Sequence, residues 1–581
     1  MKPYVLAALR NLIACSVYVL ALSACGGGGS SSPPAPAPVI NPPSPPPEPG
    51  PVSIPVQEVR AKPVKIAMVV SSAQMHANGG KIQLFADVLA GDLNRRSLAR
   101  SGVNAAAYSV DILGAAADAK SVRYQLKPYD GAMLIGVVPV PLTVDGIDWL
   151  DKPLMDPFRL PSCSAYSFAA DGNRLNEFPQ VITSDPLCRH GMSVAVLRGQ
   201  NLKSDLSDVE RKLDQFIAYH RASDQSNLDW SPKFQYTWAL WGGSAPYLTA
   251  ETLTNIWPTM TLNGVLNNYP APTFVTDGTA KVRKEAFVNC LASSGEMCVF
   301  GGHGNSTNIL FEGPGLLNQH YSDDYVYMSS GEIRSNSANV KFVEMSACSS
   351  QDFLREGSFA NALLMSGKTM LTYGSSTTSW GSSDFALLQA QEVYPYLALG
   401  ASFAEAARGS MKGNALSMQG NPYISFRPVP AVAPKLVING KHYNDGNFIL
   451  PVTFPDSIAG STSQAVLNLS NAGTVDLHIQ LSWASEAWNV DNKDVPQGGF
   501  NGGLWLQDLF PNSGPNYGSP HGNQIFTIKP NDTMKVAYKM SPLVYNPAIA
   551  PLTGVQGATM QLFSDDPASY KITLDATMTV R

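Results

Sequence analysis

Apolar residues fall into two rhythms along this chain, and the change between them divides it. From Lys65 to about Met411, short unbroken apolar runs alternate with stretches of helical period. Lys65-Ile66-Ala67-Met68-Val69-Val70 is such a run, as expected of a strand buried on both faces. Further strands are predicted over Ala106–Leu113, Asp130–Val137 (which runs into a turn at Pro139 and Pro141) and Val194–Leu197. Others are expected over Tyr236–Trp241, Met297–Phe300, Val340–Met345 and Thr369–Tyr373. Between strands, Ser207 and Glu210 have the spacing of a capping box, and Val209, Leu213, Phe216 and Ile217 form one apolar stripe. Helices are also predicted over Ala280–Leu291, Ser358–Ser366 and Phe403–Met411, the last capped by Ser402 and Glu405. Residues 143–190 are irregular and rich in turn formers, an inserted loop region. This alternation implies an α/β fold: a mostly parallel sheet covered on both faces, with ligands bound beyond the carboxyl ends of its strands.

After about Pro434 the period becomes two. Val475, Leu477, Ile479 and Leu481 alternate with polar residues, as do Ile572, Leu574, Ala576, Met578 and Val580. Asn471-Ala472-Gly473 and Ser564-Asp565-Asp566-Pro567 mark turns between such strands. The length suits a C-terminal β-sandwich of immunoglobulin type, and no catalytic cluster is visible in it.

The start of the chain reads as export and attachment. Lys2 and Arg10 flank a short apolar stretch from Leu12 to Leu22. Leu22-Ser23-Ala24-Cys25-Gly26 then resembles a bacterial lipoprotein processing site, which implies lipidation of Cys25. Gly26 in place of an acid leans, by that resemblance, towards the outer membrane. Residues 26–57 are rich in Gly, Ser and Pro and form an extended stalk with little to bury. The expected organisation is therefore a signal peptide (1–24), a tether (25–57), an N-terminal α/β subdomain (58–230), a catalytic subdomain (231–433) and the sandwich (434–581). With 581 residues, 44% apolar and 15% charged, the chain is globular and too long for a single core. A net charge of −5 gives no electrostatic reason for nucleic-acid binding.

Candidate chemistry lies in two short blocks. Val299-Phe300-Gly301-Gly302-His303-Gly304 and Phe342-Val343-Glu344-Met345-Ser346-Ala347-Cys348 each carry a strand into a residue able to react. A thiol needs a base to form the thiolate, and His303 is suited to take the proton from Cys348 and return it to a leaving amine. The backbone N–H groups of Gly304 and Cys348 are candidate oxyanion donors. Cysteine usage agrees with this assignment. In an oxidising compartment the candidate pairs are Cys163 with Cys188 and Cys290 with Cys298, which leaves Cys348 over. No His-Glu-x-x-His metal spacing and no Gly-x-Ser-x-Gly esterase motif occurs.

Gly302-His303-Gly304 and Ser346-Ala347-Cys348 together resemble the His-Gly and Ala-Cys blocks of the caspase-like cysteine peptidases, the gingipain branch above all. Asp130–Pro141, Val194–His220, Gly357–Ser376 and Gly420-Asn421-Pro422 extend the likeness over roughly residues 65–430. The resemblance implies a caspase-like sheet, endopeptidase activity on protein or peptide substrates and a thioester intermediate. It also implies calcium binding, although no calcium-loop pattern is visible and no other cofactor is expected. In the gingipains an earlier acid supports the histidine or receives a basic substrate side chain. Here the matching strand end reads Trp241-Gly242-Gly243-Ser244, and the first acid is Glu251. The rival expectation is a surface-anchored binding or assembly protein whose peptidase fold has lost activity.

Overall fold

Strands that are apolar at nearly every position need cover on both sides. The computed structural model describes residues 56–140, 193–222, 231–238, 273–275, 278–313, 324–375, 393–407, 416–444, 449–458, 463–481, 486–489, 503–507, 525–541 and 554–581, a few single positions apart. Cys25, Cys163, Cys188, Trp241, Glu251 and the region 143–190 lie outside the described residues, as does the end of the helix expected to reach Met411.

A short strand β1 (Gln57–Val59) belongs to a separate sheet and is followed by β2 (Val64–Val70), β3 (Tyr108–Gly114), β4 (Gly131–Ile135) and β5 (Ser193–Leu197). Helices α1 (Ser72–Ser101), α2 (Ala119–Leu126) and α3 (Asp205–Arg221) are interspersed. Next come β6 (Ser231–Trp238), β7 (Thr273–Val275), α4 (Ala280–Ala292) and β8 (Gly295–Gly301). A small antiparallel sheet of β9 (His303–Gly304), β10 (Asn308–Glu312) and β11 (Tyr325–Ser329) leads through α5 (Ser330–Asn336) to β12 (Phe342–Ser346). The α/β part ends with α6 (Phe359–Met365), β13 (Leu371–Ser375), α7 (Tyr394–Ala398), α8 (Phe403–Ala407) and β14 (Leu416–Gly420).

Among the described residues the main sheet has ten strands in the order β3-β2-β4-β5-β14-β13-β12-β8-β6-β7. Every neighbouring pair in it is parallel except β13 with β14. The sheet is therefore two parallel halves of opposite direction, joined at one antiparallel seam. Only β13, β12, β8, β6 and β7 point their carboxyl ends at the same rim.

Period-two alternation splits each strand between two cores. Ile66, Met68 and Val70 of β2 pack on one face with Phe85 and Leu89 of α1 and Leu213 and Phe216 of α3. Ala67 and Val69 face the other way, towards Val122 and Leu126 of α2. On β12, Phe342 joins the first face, whereas Val343 and Met345 pack with Phe287 of α4 and Phe359 of α6.

Two local expectations are corrected. Helix α1 escaped the periodicity analysis because Gly79-Gly80 interrupts it and its first buried positions are polar. Gln74 donates to the Asp205 carboxylate at 2.7 Å, and Asn78 donates to Gln74 at 2.8 Å. The capping box expected at Ser207 and Glu210 does not form. Helix α3 starts earlier, at Asp205, whose carboxylate accepts from Gly199 N at 2.8 Å, while Asp208 accepts from Gln200 N at 3.0 Å. Glu210 instead pairs with Lys81 at 3.0 Å. At α8 the expected box is present: Ser402 N donates to Glu405 at 2.6 Å and Glu405 N donates to Ser402 Oγ at 3.3 Å.

The C-terminal region holds β15 (Leu436–Ile438), β16 (Lys441–Tyr443), β17 (Ile449–Thr453), β18 (Ser463–Asn471), β19 (Leu477–Leu481) and β20 (Glu486–Asn489). It continues with β21 (Gly503–Gln507), β22 (Ile525–Ile528), β23 (Thr533–Ser541), β24 (Gly554–Ser564) and β25 (Lys571–Val580). One sheet runs β1-β16-β15-β18-β23-β21 and the other β17-β25-β24-β19-β22, with β20 on β24. Leu467 and Leu469 of the first share a core with Ile479, Leu574, Ala576 and Met578 of the second. The hairpin between β24 and β25 reaches into the α/β core, where Tyr570 stacks on Tyr396 with ring centroids 4.9 Å apart.

Strand β1 pairs in parallel with β16 and brings Glu58 beside His442. His442 bridges Glu58 and Asp566, each at 3.0 Å, and Lys435 also pairs with Glu58. Burial disfavours the charged imidazole, but the Asp566 hydrogen bond and charge, helped by Glu58, outweigh it and raise the His442 pKa. A raised histidine contributes stability that is complete below its unfolded value of 6.5 and is lost as pH rises through the folded value. Hydrogen exchange of residues 57–59 should therefore be slow near roughly pH 6 and, corrected for intrinsic rates, faster near roughly pH 9. Equal protection at both would show that His442 does not hold this strand.

Candidate active site

The base candidate sits on a hairpin whose turn is built from its own side chains. Asn305 N donates to Asn308 O at 2.8 Å, and the Asn305 carboxamide oxygen accepts from Thr307 N and Asn308 N, each at 2.9 Å. This Asx turn closes β9 onto β10. In the resulting register Gly304 faces Ile309 and His303 faces Leu310. Hydrogen-bonded and non-hydrogen-bonded pairs alternate along an antiparallel ladder. Since Asn305 and Asn308 form a bonded pair, Gly304 and Ile309 form a non-bonded one. The Gly304 amide therefore points off the edge of β9, away from β10.

Gly304 has a packing role besides. A Cβ built there would lie 3.1 Å from Ala347 Cβ and 3.3 Å from Asn308 O, tighter than ordinary contact. The absent side chain is what lets the histidine hairpin settle on the residue before Cys348.

The nucleophile candidate follows the neighbouring strand. β12 pairs in parallel with β8, Ser346 opposite Gly301, and Gly302 N donates to Ser346 O at 3.1 Å. No strand intervenes, so His303 and Cys348 leave adjacent strands at the same rim. Ser349 adopts a left-handed φ of 51°, uncommon for a residue with a side chain. Ser350 Oγ donates to Ala347 O at 2.9 Å and so holds the turn just past the thiol. Cys348 is half-buried and outside any disulfide. His303 is exposed, and its ring makes no hydrogen bond or ion pair among the described residues.

The two loops are fastened to each other. Arg355 donates to Ser306 Oγ at 2.8 Å, and Phe359 N donates to Ser306 O at 2.7 Å. Ser306 belongs to the histidine hairpin, and Arg355 and Phe359 belong to the segment after Cys348. Cys290 and Cys298 form a disulfide, with Cα atoms 6.1 Å apart, that ties α4 to β8 beneath the hairpin. Sequence reasoning missed Asn305, Ser306 and Arg355; the Asn-Ser-Thr-Asn run was the available signal for the turn. Gly367-Lys368-Thr369, which has the look of a phosphate loop ending, is a turn whose Gly367 and Thr369 carbonyls accept from Lys212 at 2.7 and 2.9 Å. No cluster of three or more metal-ligating side chains occurs among the described residues.

One carboxyl inside the apolar run of β12 has no counter-ion among the described residues. Glu344 is fully buried; Tyr373 donates to one carboxylate oxygen at 2.5 Å and the other oxygen has no partner. Burial raises its pKa to about 8, against a smaller opposing effect of the Tyr373 bond. A raised carboxyl favours the protonated form in the folded state. Its contribution to stability is therefore complete below the unfolded value of 4.5 and is lost as pH climbs through about 8. Urea midpoints should fall between about pH 5 and about pH 9, and Glu344→Gln should flatten that fall. An unchanged slope in the Gln variant would exclude Glu344 as its source.

No family model and no curated protein matches the chain. Among solved structures it is similar to a PapD-like domain of human CEP192, at 15% identity, covering 26% of this chain and 87% of that one with a TM-score of 0.15. It is also similar to the CooA pilin subunit of enterotoxigenic Escherichia coli, at 16% identity, 26% and 99% coverage and a TM-score of 0.16. The CupB6 tip adhesin of Pseudomonas aeruginosa gives 8% identity, 27% and 46% coverage and a TM-score of 0.17. Overlaps this slight carry no argument about what the chain does.

Proposed function

We propose that this chain is a cysteine endopeptidase of caspase-like fold, with Cys348 as nucleophile and His303 as base. The observation that carries the reading is the pairing of β8 with β12, which brings a histidine and a cysteine to one rim beside an outward-pointing amide. In this reading His303 takes the Cys348 proton and the thiolate attacks the scissile carbonyl carbon. The oxyanion is received by the N–H groups of Gly304 and Cys348. The C–N bond then breaks, the imidazolium gives its proton to the departing amine, and a thioester remains. Water, deprotonated by His303, attacks the thioester carbonyl carbon; the C–S bond breaks, the acyl half leaves as a carboxylic acid, and the imidazolium proton restores the thiol. Glu251 is the candidate supporting acid, and calcium enters by family resemblance alone. A lipid on Cys25 would hold the enzyme at the bacterial cell envelope, on the outer membrane, with the immunoglobulin-like sandwich beside the catalytic part.

A second reading is favoured by one observation, the exposed His303 ring with no hydrogen bond among the described residues. It makes the chain a surface binding or assembly protein on an inactive peptidase fold. Free enzymes often close such bonds only when substrate binds, so the first reading is preferred.

Labelling by a thiol-reactive peptide probe separates the two. It should vanish in Cys348→Ala and slow by roughly 10²-fold or more in His303→Ala at neutral pH. Labelling that persists in Cys348→Ala, or a rate indifferent to His303, removes the peptidase assignment.

A further inference from the structure

The register of the small sheet puts more than the histidine on its outer face. His303 stands directly opposite Leu310 on β10, and Leu310 stands directly opposite Tyr327 on β11. Residues paired across an antiparallel ladder project to the same side, so these three form one row across three strands. Tyr325, two residues before Tyr327, shares that side. Its ring meets Tyr327 edge-on with centroids 6.0 Å apart. The inner face is occupied, since Ile309, Phe311 and Met328 are fully buried against the main sheet. The outer face is open: Tyr325 is 60% exposed, Tyr327 54%, and Leu310 is half-buried. Two aromatic rings in edge-on contact are thus left exposed beside a candidate catalytic base, a surface suited to covering by an apolar partner.

Several contacts hold the small sheet in place. Lys284 donates to Tyr327 O at 2.8 Å and pairs with Glu332 at 2.5 Å, which occupies a carbonyl on the outer edge of β11. Ser330 N donates to Thr307 O at 2.9 Å, and the capping box of Ser329 and Glu332 fixes the end of β11. With the edge carbonyl taken, a partner would meet this surface through side chains on its face.

Chemistry decides which partner. In peptide hydrolysis the imidazolium delivers its proton to the departing amine, so the amine-side half of the substrate lies against the histidine. Strands are spaced about 4.8 Å apart, so the row from His303 to Tyr327 spans about 10 Å. An extended peptide rises about 3.3 Å per residue, so about three residues beyond the scissile bond cover that distance. We infer that the outer face formed by Leu310, Tyr327 and Tyr325 is a specificity surface that selects peptides with large apolar or aromatic side chains within three residues on the amine side of the cleaved bond. This rests on the peptidase reading above.

The test uses the full chain and two readouts. Cleavage of a degenerate peptide library, sequenced on both sides of each cut, should show enrichment of Phe, Tyr, Trp, Leu or Met at the amine-side positions. Tyr327→Ala, at an exposed site where folding is not at stake, should lower that enrichment about tenfold and leave acyl-side preferences and Cys348 alkylation rates unchanged. Tyr327→Phe should retain it. Separately, Cys348→Ala should bind a fluorescent peptide led by aromatic residues, and adding Tyr327→Ala should weaken that binding about tenfold. Cleavage that depends on Cys348 but keeps the same preferences in Tyr327→Ala overturns the surface and leaves the peptidase standing. Tyr327-dependent binding without any cleavage overturns the peptidase and keeps the surface as a peptide site. Neither binding nor cleavage overturns both.

Discussion

Everything at the candidate site depends on one stretch of main-chain pairing, the parallel ladder between β8 and β12. It puts Gly301 opposite Ser346, and the bond from Gly302 N to Ser346 O carries the pairing one step past the end of β8. From there the chains diverge into two turns, one ending in an imidazole and the other in a thiol. The ladder can hold this register because both strands are buried on both faces, where a slip would exchange the two sets of side chains between different cores. Gly304 against Ala347, and Arg355 with Phe359 on Ser306, then keep the turns from drifting apart.

Strand direction limits where such chemistry can arise. The seam between β13 and β14 reverses the sheet, so the carboxyl ends of β2, β4 and β5 open on the rim opposite the one that carries His303 and Cys348. The first half contributes instead through buried polar contacts. His220 at the end of α3 lies between Asp92 at 2.7 Å and Asn421 at 2.8 Å, which joins α1, α3 and the exit of β14 on the near side of the seam. Burial alone would raise the Asp92 pKa, but the Arg96 charge and the His220 hydrogen bond hold it well below the usual carboxylate range. His220, driven down by burial, is best described as a neutral ring donating to Asp92 and accepting from Asn421. An imidazole with both nitrogens committed has no proton to exchange with a substrate, so this histidine is part of the scaffold.

Among the described residues, Tyr570 and Phe563 carry the β-sandwich into the α/β core from the hairpin between β24 and β25, and Glu58 on β1 is held within the sandwich by Lys435 and His442. Since β1 immediately precedes β2, the segment leading into the α/β sheet is itself a strand of the sandwich.

The sequence by itself determined which segments are buried and how. Unbroken apolar runs such as Ile66–Val70 identify strands covered on both faces, and the alternation from Ile572 to Val580 identifies a strand whose apolar residues share one buried face, because burial is a property of the local pattern. It also marked His303 and Cys348 as residues leaving strand ends, since each follows an apolar run directly. Glu344 was legible as a lone charge inside such a run, but its unpartnered oxygen was not. Tertiary structure alone decided the rest. The antiparallel seam, the pairing of β1 with a strand far along the chain, the start of α3 at Asp205 ahead of Ser207, and the row from His303 to Tyr327 all depend on which segments meet. No local pattern encodes that, because register and direction are set by the partner strand.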